Sequence, residues 1–328
     1  MLFMDARVNP NNLDMSCKTI EHLGDDVTIK DNGRGKVKFY YQGELHKVDG
    51  PAVTKVGKYE KWYRCGKLHR VNGPAIKRTD GSEEWYNDGI RHREDGPAVT
   101  TSDGIRQWYY KGQRHREDGP AIIFDNGTEE WYWHGDRHRK DGPAIKCASG
   151  SEKWYWHDEL HRKDGPAFTK INGTQEWYWG GKLHRENGPA IKRINGSEEW
   201  YQHGLRHREG GPAVRDEYGN EEWYYGGKLH RIGDPAVKDI NGDTKWYCQG
   251  ELHRENGPAV ENMNGYKEYY WHGLLHRENG PAKDYGTGVE EWYYAGERHQ
   301  EGGPAVIYPE YPSLTEWWVH GHLQVHSF

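Results

Sequence analysis

The stretch from Glu129 to Ile145, EEWYWHGDRHRKDGPAI, decides the fold, because the chain keeps repeating it. One period on, Ser151 to Phe168 reads SEKWYWHDELHRKDGPAF. Histidines stand at His46, His69, His92, His115, His138, His161, His184, His207, His230, His253, His276 and His299, and every interval is 23 residues. Seven places before each lies a large aromatic, and the residue after that aromatic is always Tyr. Five places after each histidine comes Pro, followed by Ala. Trp131, Tyr132, His138, Arg139, Gly142 and Pro143 thus recur as a spine. Trp154, Tyr155 and His161, then Trp177, Tyr178 and His184, are its next copies. Self-similarity at a fixed period of this size marks a stacked array, in which each unit buries its apolar face only against its neighbours.

The composition agrees with that architecture. Only 34 % of the 328 residues are hydrophobic and the mean hydropathy is −1.15, poor material for one deep core. Yet there are 16 Trp and 23 Tyr, side chains suited to half-exposed surfaces. Net charge is −6 with both signs interspersed, so a nucleic-acid partner has no electrostatic support. Cys17, Cys65, Cys147 and Cys248 occur singly, which argues against a disulfide framework or a cysteine zinc site. The opening MLFMDARVNP lacks a basic segment followed by a long apolar one, so no signal peptide is expected. No apolar run approaches the roughly 18 residues of a membrane helix. A soluble, intracellular protein is the expectation.

Each unit carries two turn signals. The first is x-Gly three places before the histidine, as in His134-Gly135, and the second is often Asn-Gly, as in Asn126-Gly127. Both suit two-residue type I′ loops, which need positive φ twice. The short segments between them are rich in Trp, Tyr, Val and Ile, and no helical stripe survives so many Gly and Pro. Two strands per unit are expected. A loop at 134–135 sets Trp133 opposite Asp136, Tyr132 opposite Arg137, Trp131 opposite His138 and Glu130 opposite Arg139. The same charge pairing is expected at Glu84–Arg93, Glu176–Arg185, Glu199–Arg208 and Glu222–Arg231. A two-residue loop at 126–127 puts Ile122 opposite Trp131. His138 and Ile145 lie an odd number of residues apart, so Gly142-Pro143 must turn the strand, and the Gly-Pro-Ala reads as punctuation.

The fold class is therefore all-β: an elongated antiparallel meander, as a single twisted sheet or a solenoid-like array. Residues 1–36 form an N-terminal cap, 37–306 twelve hairpin repeats, and 307–328 an atypical C-terminal repeat, where Gln324 takes the histidine place.

These residues carry a family likeness. Aromatic–x–x–Gly–x–x–His at a 23-residue period resembles MORN repeats. The WYxxGxxHRxxGPA form is similar to MORN-like repeats of giant-virus and phage proteins, and to bacterial YwqK-type antitoxins. The resemblance covers residues 37 to about 325. It implies a scaffold, as a virion component, a host-interaction factor or an antitoxin-like partner-binding protein, with lipid contact proposed for some such arrays. Here Arg follows the histidine where Gly commonly does, and Gly-Pro-Ala is added.

A row of metal sites is the sharp reading of the histidines. Two strands per unit would separate equivalent histidines by roughly 10 Å, whereas nitrogens on one zinc ion lie within about 4 Å of each other. Neighbouring units therefore cannot share an ion, and only His320, His322 and His326 cluster otherwise. Catalysis needs a singular, perturbed group, and equivalent His-Arg pairs are not singular. Each imidazole is expected to pack on Trp and bond the backbone near the Gly-Pro corner, with no enzyme activity, metal or cofactor. The aromatic two places after the spine Trp varies: Tyr110, Trp133, Trp156, Trp179 and Trp271, against Arg64 and Asn87. Exposed, such a row marks a partner surface. The expected partner is a protein, a second copy of the chain included. The rival is a ligand module for a choline-like cation, glycan or lipid headgroup.

Overall fold

In a computed structural model, the structure describes residues 26–324. They form an all-β, antiparallel meander of very short strands, with a 3-10 turn at Pro312–Leu314. Residues 1–25 of the expected N-terminal cap, and the chain from 325 on, lie outside the described residues. The described residues fall into two compact units: 26–150 with 155–158, and 151–154 with 159–324.

Each full repeat after the first supplies four short strands where the sequence predicts two. In the first unit, Glu129–Glu130 pairs with Ile122–Ile123 on one side and Ile145–Lys146 on the other. Tyr132–Trp133 instead forms a separate two-stranded hairpin with Asp136–Arg137. Trp131 is the joint. Its amide donates to the Ala144 carbonyl at 2.7 Å, in line with the first ladder, and its carbonyl accepts from the His138 amide at 3.2 Å, in line with the second. One residue thus serves an inner ladder and an outer hairpin, and the aromatic side chain covers the kink. The first unit runs its inner ladder from Val27–Asp31, paired with Lys36–Tyr41, through to Ile145–Lys146. The second runs its own from Glu152–Lys153 to Val306–Ile307. In the last repeat Gln324 donates its amide to the Trp317 carbonyl at 2.7 Å, as the spine histidines do.

The outer hairpin has the predicted register, Tyr132 opposite Arg137 and Trp133 opposite Asp136. His134 at φ 47° and Gly135 at φ 99° supply the two positive values of a type I′ loop. The other loop differs by one residue: Ile122 faces Glu130, not Trp131. It has three residues, with Phe124 donating to the Thr128 carbonyl at 2.9 Å. Gly127 is left-handed at φ 82°, and the Asn126 side chain accepts from the Thr128 amide at 2.9 Å. Three-residue hairpins of this kind end on a left-handed Gly, so Asn-Gly fits both loop lengths and does not select between them.

That slip and the kink at Trp131 overturn the predicted charge pairs. Glu130 faces Ile145, not Arg139. Glu84, Glu176, Glu199 and Glu222 likewise face Val99, Ile191, Val214 and Val237. The Gly-Pro-Ala is more than punctuation, because its Ala is fully buried in every repeat from Ala52 to Ala305. The core is a thin seam, as where Ala121, Ile122 and Tyr132 pack with Ile105 and Phe124.

Candidate functional site: an aromatic row over a histidine spine

Released from Glu130, Arg139 folds back on its own repeat. Its guanidinium carbon lies 4.0 Å from the centre of the Trp131 ring, and Nη1 donates to the Pro143 carbonyl at 3.3 Å. Gly142 lies beneath: a Cβ there would sit 2.7 Å from that carbon. Arg70–Trp62, Arg116–Trp108 and Arg208–Trp200 stack likewise at 3.8–4.1 Å. The Trp, Arg, Gly and Pro of the motif are thus one sandwich. Asp234 replaces the Gly once, and its carboxylate binds Arg231 at 2.9 Å while Arg231 stays 4.0 Å from Trp223.

The histidines reach forward. Nδ1 of His115 accepts from the His134 amide, that of His161 from Gly180, and that of His184 from His203, each at 3.2 Å. The donor is the first loop residue of the next hairpin, not the Gly-Pro corner that the sequence suggested. Such a bond needs a neutral imidazole with Nδ1 bare. Burial, with the neighbouring loop histidine adding to it, holds His115 and His184 below the ordinary 6.5. The exception among the described residues is His138, whose Nδ1 is buried without a partner. The loop it faces is His157-Asp158, where Asp158 replaces Gly at φ 63° and accepts the Arg137 amide at 3.0 Å. Among the described residues no three His, Cys, Asp or Glu side chains converge as metal ligands. His320 stacks on His299 at 4.3 Å, and His326 lies outside the described residues.

Where the next repeat carries the variable aromatic, the histidine is also the floor beneath it. In the first unit Trp133 lies 4.6 Å from the His115 ring and is 41 % exposed; Trp156 lies 4.3 Å from His138 and is 50 % exposed. Tyr110 sits half-buried between His92 and His115, at 5.1 and 6.0 Å. In the second unit Trp179 rests on His161 at 4.2 Å and Trp271 on His253 at 4.6 Å, both about half exposed. The four Trp rings of the row are thus each packed on a histidine and still 41–50 % exposed.

Sequence reasoning missed the buried glutamates. Glu199 is 6 % exposed and accepts from Arg193, from the Tyr201 hydroxyl at 2.9 Å and from Arg206 Nη2 at 3.0 Å. Glu84 does the same with Arg78, Tyr86 and Arg91. Burial alone would raise both carboxyls, but the donors outweigh it and hold them below the usual carboxylate range. The signal was present as Arg six places before and seven after each Glu, readable only with the right register.

No protein-family model and no curated protein sequence matches the chain. The MORN likeness rests on the residues themselves. No helix among the described residues is long and apolar enough to cross a membrane.

Proposed function

We propose that the chain is a non-enzymatic repeat scaffold that holds a protein partner, a second copy of itself included, on its aromatic row. The observation that carries this reading is the pair Trp133 and Trp156, each about half exposed on a histidine floor. Rigid, half-open Trp and Tyr rings are the side chains that dominate protein interfaces, since they bury much area with little loss of freedom. The repeated packing beneath them keeps each ring in place before a partner arrives. A virion protein, a host factor or a toxin, each implied by the MORN-like resemblance, would be kinds of partner for the same row.

The ligand-module reading is weaker. A cage for a choline-like cation needs several aromatic faces converging on one point. Among the described residues these rings meet histidines and not one another. The test is capture of partners from the native source by the wild-type chain and by Trp133→Ala with Trp156→Ala. Loss of one specific protein with unchanged circular dichroism supports the scaffold. Capture unaffected by the double change rules the row out, and a shift of Trp fluorescence with choline or a glycan would favour the rival.

A further inference from the structure

The face of the hairpins opposite the aromatic row carries a ladder of Tyr and Arg, because Tyr132 and Arg137 alternate with Trp133 and Asp136. At three places the ladder Arg is neutralised in the same way. Arg91, Arg206 and Arg298 each donate Nε to the Tyr hydroxyl of their own hairpin, at 3.0–3.2 Å. Each also donates Nη2 to the buried Glu of its repeat, again at 3.0–3.2 Å. Arg114 occupies the equivalent place in the first unit, but Gln107 stands where the Glu should be. Tyr109 turns its hydroxyl to the Gln107 side-chain oxygen at 3.1 Å, and Nε of Arg114 is buried without an acceptor. The guanidinium is held 5.4 Å from the centre of the Tyr132 ring, and Arg137 lies 5.8 Å from the same ring. Arg137 also lacks the clamp; its nearest carboxylate is Asp158, 3.6 Å from Nη1. The sequence around Arg114 is biased the same way. Residues 104–116 include Arg106, Lys111, Arg114 and Arg116 and contain no Asp or Glu, within a chain whose net charge is −6.

We propose that Arg114, with Arg137 at the same Tyr132 ring, is a docking site for carboxylates of an acidic protein segment. The three neutralised copies show that this rung is built to hold a carboxylate, and in this repeat the chain supplies none. A half-exposed, pre-oriented guanidinium is the group that binds carboxylates in a paired, planar geometry. Arg114 is the primary contact, and Arg137, which shares its charge with Asp158 at 3.6 Å, lies one rung on, roughly 10 Å away at two inner-ladder strands per repeat, so that acidic side chains spaced along an extended segment are selected. The site is separate from the aromatic row and does not rest on it.

The experiment uses the full chain and a labelled oligoglutamate peptide, followed by fluorescence anisotropy at low salt. Wild type should bind saturably, and Arg114→Gln should weaken binding about tenfold or more. Gln107→Glu should weaken it equally while raising Tm, because it rebuilds the clamp seen at Arg91. That rise separates loss of the site from loss of the fold. Lys228→Gln, an exposed cation elsewhere, should leave binding unchanged. Absence of binding by wild type, or wild-type binding by Gln107→Glu, overturns the proposal. So does tighter binding of an inorganic polyphosphate of equal charge, which would assign the site to phosphates.

Discussion

His115 holds the His134 amide through Nδ1 at 3.2 Å, and the two rings stack at 4.4 Å. A residue of one repeat thereby fixes the hairpin loop of the next. The same bond recurs from His46 with the Cys65 amide at 3.1 Å to His299 with the His320 amide at 3.2 Å. Stacking of repeats is therefore specified by hydrogen bonds as well as by the thin apolar seam.

Replacing His115 with Phe keeps the ring and removes the acceptor. The His134 amide then loses its partner, at a cost of about 1–2 kcal/mol. His138→Phe should cost clearly less, since its Nδ1 accepts nothing. Urea unfolding of the two variants decides the matter, and equal losses would show that ring packing alone carries the joint.

Gly142→Ala places a methyl where the Arg139 guanidinium lies, so the stack on Trp131 must open. The expected loss is about 1–2 kcal/mol, the range of a desolvated cation–π contact together with one hydrogen bond. Gly150→Ala, where a Cβ meets nothing within 4 Å, controls for the glycine itself, although its φ of 96° carries its own strain. Near-ultraviolet circular dichroism of the Trp bands should change in the first variant and not in the second.

Acid should act in two stages. His69, His115 and His184 have folded pKa values below 6.5, so the unfolded chain takes up protons first. Their contribution to stability is whole above that value and is lost as pH falls from 6.5 towards the folded pKa. Glu84, Glu199 and Glu291 are held below 4.5, so theirs is present above 4.5 and lost as pH falls through the lower folded value. Tm measured from pH 8 to 3 should decline first near 6 and again below 4.5. A flat profile between 7 and 5 would contradict the neutral spine.

Glu199→Gln leaves Arg193 and Arg206 facing a neutral amide in a buried place. The loss should be about 1–2 kcal/mol, because both arginines are more than a third exposed and keep part of their hydration. Replacing the exposed Glu209, 81 % open at its side chain, should be silent. Denaturant midpoints compare the two directly.

The repeat, the all-β class and the outer hairpin were legible because period, turn residues and alternation agree at His134-Gly135. What failed was local. Asn126-Gly127 serves two loop lengths, and one residue of slip moves Ile122 from Trp131 to Glu130. Nothing in the letters says that Trp131 ends one ladder and begins another. Hence the letters pair Arg139 with Glu130, whereas the Trp131 face and the Gly142 gap claim it. The candidate row is legible in its variability, yet the histidines beneath it belong to the preceding repeat, a relation that only the stacking displays.

The forward reach of the histidine has a consequence at the level of the gene. The joints made by His115, His161 and His184 each link the histidine to an amide 19 places ahead, so removing or duplicating a whole 23-residue segment among such repeats keeps an imidazole facing a loop amide. A change of length confined to a turn is absorbed, as between His299 and His320, where two extra residues leave the bond in place; one inside a hairpin shifts the register. The coding sequence can thus lengthen or shorten by unequal recombination between its own copies and still yield a folded product at each step. The number of rungs is the property that such a lineage can change most freely.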